Sequence, residues 1–167
     1  MTTLYTEMTG PLGTMLLTAD DGALTGVHFP GQKHDQPRQP DWQRADDEPV
    51  LAAARRQLSE YFEGRRAGFD LPLAPRGTPF QQAVWQALLA VPFGATSTYG
   101  AIAAAIRRPK AVRAVGAAIG ANPIGIVVPC HRIVGRDGSL TGYAGGLDRK
   151  AKLLALEGSA ARFALSA

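Results

Sequence analysis

The chain has 167 residues, 46% of them hydrophobic and 19% charged, with a formal net charge of +4. That length suits one globular domain or two small lobes sharing a core, and the apolar fraction excludes wholesale disorder. One cysteine and three histidines give neither a disulfide framework nor a zinc site, no apolar run approaches a membrane span, and the first residues show no signal-peptide pattern. We therefore expect a cytoplasmic protein with no metal and no cofactor. The charge is unevenly placed: residues 1–75 hold 7 Lys/Arg against 11 Asp/Glu, a net of −4, and residues 76–167 hold 11 against 3, a net of +8. The basic half suits either a polyanionic partner or a solvated cationic face.

The first 29 residues read as strands. Residues 14–18 and 24–29 are apolar runs rich in strand formers, and Asp20-Asp21-Gly22 between them has hairpin-turn chemistry. Residues 30–49, with four prolines and no periodicity, read as an exposed loop. Val50, Leu51, Ala54, Leu58, Tyr61 and Phe62 recur at helical spacing and Gly64 supplies a stop. Residues 69–73 suit a short strand or an extended connector.

Beyond residue 76 the chain turns helical. Thr78 and Pro79 are an N-cap and a first helical residue, followed by a stripe of Phe80, Val84, Trp85, Leu88 and Leu89. Ser97 or Thr98 can cap a second helix over 99–106, and a third follows from Lys110 to about Ala121, where Asn122-Pro123 ends it. The last two have helix-turn-helix proportions. Residues 124–128 read as a buried strand or extended run, and 149–157 as a short last helix ending at Gly158. The expected architecture is an α/β lobe with antiparallel strands over 1–75 and a mostly helical lobe with a helix-turn-helix over 76–167.

Three segments carry chemistry. Cys130 lies in Pro129-Cys130-His131-Arg132, where the flanking His131 and Arg132 could favour a thiolate nucleophile and the proline stiffens the approach. Adjacent side chains in extended chain face opposite ways, so the pair needs a turn or a bridging water. Of the three acids after residue 76, Glu157 is the candidate to orient His131, since Asp137 and Asp148 fall in glycine-rich sequence. The third helix is built almost wholly of small residues, with Arg113 the one long side chain after Lys110, which permits close approach to nucleic acid with little base discrimination. Thr141-Gly142-Tyr143-Ala144-Gly145-Gly146 has three glycines whose backbone can press against a flat ligand. Trp42 and Trp85 read as packing residues, and His28 and His34 as surface or loop residues. No strand-to-helix phosphate loop points to a nucleotide cofactor.

The set formed by Phe80-Gln81-Gln82-Ala83-Val84-Trp85, Pro92-Phe93-Gly94, Thr98-Tyr99-Gly100, Arg113-Ala114-Val115-Gly116, Ala121-Asn122-Pro123, Ile126-Val127-Val128, Pro129-Cys130-His131-Arg132 and Tyr143-Ala144-Gly145-Gly146 resembles the O6-alkylguanine-DNA alkyltransferases. The likeness is dense over 76–158 and thin before. It implies a ribonuclease-H-like first lobe and a single-turnover repair protein that flips O6-alkylguanine from duplex DNA and takes the alkyl group onto Cys130. His131, acting through water and oriented by Glu157, would accept the thiol proton. Tyr99 would donate toward the guanine ring, and Asn122 would brace the hinge behind the third helix. Arg113 would fill the vacated stack, with Thr98, Ala111 and Gly116 also against the DNA. Tyr143 and the backbone at Cys130, Ile133 and Ala144 would line the guanine pocket. Ala144 departs from the serine frequent in the family, so a side-chain hydroxyl contact is lost there. The implied partner is double-stranded DNA rather than a membrane, bound by a monomer, with cooperativity along DNA left open. A non-transferring damage sensor and a Cys-His hydrolase are the alternatives; the cysteine argues against the first, and the adjacent pair against the second.

Overall fold

The computed structural model describes residues 2–33 and 37–159. Three strands form an antiparallel meander, β1 (Leu4–Gly10), β2 (Gly13–Asp20) and β3 (Ala23–His28). The β2–β3 turn has Asp21 at φ 49° and Gly22 at φ 75°. Successive left-handed residues match the twist of the flanking strands, which explains Asp-Gly at this position. The sheet runs β3-β2-β1-β4, and β4 (Gln43–Arg44) corrects the expectation of an unbroken loop over 30–49. Two residues of edge strand, parallel to β1 at Leu4 and Tyr5, are too short to register as alternation in proline-rich sequence.

Helix α1 (Pro49–Phe62) begins where the Glu48 carboxylate accepts from the Leu51 amide, and stops before Gly64 at φ 75°. Its buried face, with Leu51, Ala54, Leu58 and Tyr61, packs on β1 to β3. Residues 69–73 form the extended connector, with Leu73 bridged in parallel to Leu24 of β3.

In the second lobe α2 (Pro79–Leu89) opens with a reciprocal capping box between Thr78 and Gln81. Strand β5 (Ser97–Thr98) leads into α3 (Tyr99–Ala105), and Thr98 rather than Ser97 caps it, accepting from the Ala101 amide. Helix α4 (Val112–Gly120) starts two residues later than Lys110 because Ala111 has no side-chain oxygen to cap it and lies outside helical geometry. Both α3 and α4 pack on α2, and Trp85 of α2 donates its indole N–H to Ala118 O. Residues 124–128 are extended only at Ile124, which bridges Val27; Ile126 sits at φ 70° and the segment turns on itself. A 3-10 turn, Cys130–Arg132, leads into β6 (Ile133–Val134), which pairs with β5. Helix α5 (Leu147–Leu156) is capped by Glu157 and followed by Gly158 at φ 83°.

The lobes share one core. Strand β3 is its seam, since its free edge takes the connector at Leu24 and the segment leading to Cys130 at Val27. Among the described residues no helix is long and apolar enough to cross a membrane.

Candidate active site

Cys130 opens the 3-10 turn and is 7% exposed. The turn resolves the problem of two adjacent side chains, because three residues per revolution no longer set neighbours on opposite faces. Asn122, just past α4, holds the segment from inside. Its amide nitrogen donates to Val128 O at 2.9 Å and reaches Cys130 Sγ at 3.2 Å, while its oxygen accepts from the Ile124 amide at 3.0 Å. The end of α4, the 124–128 segment and the thiol are thus fastened by one side chain.

Behind the thiol lies a buried ionic group. Glu157, C-cap of α5, meets His131 Nε2 at 2.8 Å. It also receives a two-pronged contact from Arg132, Nε at 2.8 Å and a terminal nitrogen at 3.0 Å, and the Tyr61 hydroxyl of α1 donates to it. Burial opposes its charge, but the bonds from His131, Arg132 and Tyr61 prevail and hold the Glu157 carboxyl at about 2. Burial lowers the His131 pKa, against the pull of Glu157, so the ring is neutral at pH 7. Its Nδ1 is buried without a protein partner, available to accept a proton.

The expectation that Arg132 favours a thiolate is corrected. Its guanidinium is committed to Glu157 and to Val91 O, over the Phe93 ring. Burial raises the Cys130 pKa, with Asn122 and the Lys150 charge pulling it down. The resting group is a thiol. Lys150 is the residue the sequence reading missed: its ammonium donates to Thr141 O at 3.1 Å and lies near Gly142 O at 3.4 Å, and burial lowers its pKa to about 8. A signal for it existed, because Lys150, Leu153, Leu154 and Glu157 share one helical stripe, placing two charges on the buried face of α5.

A cavity of about 10 Å³ adjoins the thiol, lined in part by Asn122, Ile126, Tyr143, Ala144 and Gly145. A β-carbon on Gly145 would stand 2.8 Å from the Tyr143 ring, so this position requires glycine. The 141–146 loop is tied down by Tyr99, whose hydroxyl bonds that of Thr141 at 2.7 Å, and by Arg149, which donates to Gly145 O. Ile133 is absent from this lining; it is buried in β6, and its amide donates to Cys130 O. Tyr99 likewise reaches the site through Thr141 rather than by lining the cavity.

The helix-turn-helix presents Arg107, Arg108, Lys110 and Arg113 exposed on the turn and first turn of α4. Ala111 and Gly116 are half-buried, and the Tyr99 ring stands behind Gly116. His28, expected on the surface, is half-buried on β3, because its strand is covered by the second lobe; His34 lies outside the described residues. Among the described residues no group of His, Cys, Asp and Glu could hold a metal ion.

Two family models match. One, described as the 6-O-methylguanine DNA methyltransferase ribonuclease-like domain, covers residues 3–75, and the other, the DNA binding domain of the same methyltransferase, covers 79–159. The methylated-DNA–protein-cysteine methyltransferase of Haemophilus influenzae is 46% identical over 94% of this chain and 88% of its own length. That of Methanosarcina acetivorans is 48% identical over 93% and 98%. Among solved structures, Mycobacterium tuberculosis OGT in complex with DNA is similar with a TM-score of 0.84 and 43% identity, covering 96% of this chain and 94% of that one.

Proposed function

The chain belongs to the 6-O-methylguanine DNA methyltransferase family, and from that premise we propose that it repairs DNA by moving the alkyl group of a flipped O6-alkylguanine onto its own Cys130, once per molecule. The carrying observation is the thiol itself: a buried sulfur, fixed by Asn122 at 3.2 Å, one residue from a neutral imidazole that Glu157 orients.

In this scheme the His131 ring takes the thiol proton at Nδ1 through a water, and the imidazolium that forms is stabilised by the Glu157 carboxylate. The sulfur attacks the alkyl carbon, the carbon–oxygen bond breaks, and a thioether remains. The departing guanine needs a proton, and Tyr99 supplies it from α3; such general acid catalysis is worth about 10²–10⁴-fold. A raised thiol pKa suits the sequence of events, because the proton moves only when a base is in place. Tyr143, Ala144 and the Cys130 backbone form the guanine pocket, which Ile133 supports from β6.

Double-stranded DNA carrying the lesion binds along α3 and α4. Arg107, Arg108 and Lys110 meet phosphates, Thr98 meets the rotated phosphate, and the small surface at Ala111 and Gly116 lets the backbone approach. Arg113 fills the gap in the stack; flipping costs a few kcal/mol, and less at a poorly paired base. Residues 1–75 and 76–167 are the two units, in a monomer that works in the cytoplasm.

Intact-protein mass after mixing with a duplex containing O6-methylguanine tests this reading. One methyl group on Cys130, saturating at one per protein, is expected. Tight lesion binding without mass gain indicates a damage sensor, and demethylation beyond one equivalent indicates turnover; either result sinks the proposal.

A further inference from the structure

The lining of the cavity beside Cys130 draws on both lobes. Val27, Phe29 and Gln32 come from β3 and the turn after it, a region to which the transfer chemistry assigns no role. The cavity has room for about one water-sized group, at about 10 Å³. A second and larger cleft, about 110 Å³, opens between the lobes and is lined by Thr18, Thr25, His28 and Trp42 among others. The two spaces meet at Gln32, Gly120 and Asn122, which line both. Gly120 has no side chain, and Asn122 is fixed by its bonds to the thiol segment. Gln32 is therefore the part of the partition whose side chain can be moved or removed without disturbing the thiol segment, since its bond runs to Phe29.

Its position is well defined. The side-chain oxygen of Gln32 accepts from the Phe29 backbone N–H at 2.8 Å, and the Gln32 backbone N–H donates to Phe29 O at 3.1 Å. The next residue ties the turn to the opposite wall, with the Lys33 amide donating to Ala144 O at 3.1 Å. Phe29 is 3% exposed, with the Arg149 guanidinium 3.8 Å from its ring centroid. A β-carbon on Gly145 would stand 3.4 Å from the Phe29 ring, so the ring leaves no room for a side chain larger than that on the facing loop. The first lobe thus supplies a wall held to the same loop that lines the pocket.

We propose that Phe29 and Gln32 determine substrate specificity: they set how large an O6 substituent can reach Cys130, and the cleft behind Gln32 receives the distal part of a substituent too long for the cavity. This rests on Cys130 being the alkyl acceptor. The chemical class that distinguishes the two spaces is an arylmethyl or long alkyl group against methyl. Methyl needs only the small cavity. A benzyl ring must displace the Gln32 side chain.

Single-turnover transfer from duplexes carrying O6-methylguanine or O6-benzylguanine, read by intact mass, tests this on the full chain. Wild type is expected to favour methyl. Gln32→Ala is expected to raise the benzyl-to-methyl rate ratio by about tenfold or more, the scale at which a pocket discriminates by size, with methyl transfer little changed. Adding Thr25→Phe, which fills the cleft, is expected to return the ratio toward wild type. Phe29→Leu, which keeps the site apolar, gives an independent reading in the same direction. Equal changes in both rates, or an unmoved ratio in both Gln32→Ala and Phe29→Leu, overturn the proposal. Failure of wild type to gain mass on Cys130 from either substrate is a different result and overturns the acceptor assignment instead.

Discussion

Strand β2 and the segment from Asn122 to Arg132 are both buried, yet they are held in different ways. From Met15 to Asp20 every residue of β2 is buried, and the strand's backbone groups are paired in ladders with β1 and β3. The Asn122 segment has no ladder. It is fastened by one amide side chain, a few short-range turns and a bridge to Val27. A ladder distributes its restraint over many equivalent bonds, whereas irregular backbone depends on individual polar groups. The first region should lose stability in proportion to packing removed, and the second should lose placement of the sulfur.

A large loss of stability with little change in transfer is expected in the first lobe. Leu58→Ala empties a fully buried site on α1 and should cost about 2–5 kcal/mol in urea unfolding, while the folded fraction transfers at the wild-type rate. Asn122→Ala should cost a similar amount, about 1–3 kcal/mol for each of the two buried backbone groups, Val128 O and the Ile124 amide, left unpaired. It should also slow transfer sharply in protein that is still folded. A variant with normal transfer would erase the distinction between the two regions.

Glu157 sharpens the comparison by pH. Its carboxyl is held at about 2, below the usual 4.5, so the folded state favours the charged form. That stabilises the fold by up to about 3 kcal/mol above pH 4.5 and is lost as the pH falls from 4.5 through 2. Glu157→Gln should be less stable at neutral pH and show a flatter acid limb in thermal melts. The smallest stability effect is expected at exposed Arg113. Arg113→Ala should change stability by no more than about 0.5 kcal/mol, yet impair transfer from duplex DNA far more than from a free alkylated base. Equal losses on both substrates would remove it from the stack.

What could be read from the sequence follows the same division. The β2–β3 turn and helices α1 and α2 are visible because their signals are local: Asp-Gly, Thr-Pro, and apolar residues at helical spacing. Glu157 could be found because acids after residue 76 are scarce. Residues 124–128 look like strand because apolarity reports burial and not which group a backbone amide bonds to. Tyr61 shows its buried position in the α1 stripe, but its hydroxyl's partner is 96 residues away and leaves no local pattern. The same holds for the share of the first lobe in the cavity wall, which arises only when the edge of β3 meets the segment after α4.

The Glu157 carboxylate receives one bond from α1 and three from the 3-10 turn. Separating the lobes would break the Tyr61 contact, open the seam at β3 and let water into a buried charge cluster at once. Neither half has an inexpensive route to opening alone. Amide hydrogen exchange should therefore show the slowest protons of both halves leaving with one common free energy, and calorimetry should show a single transition.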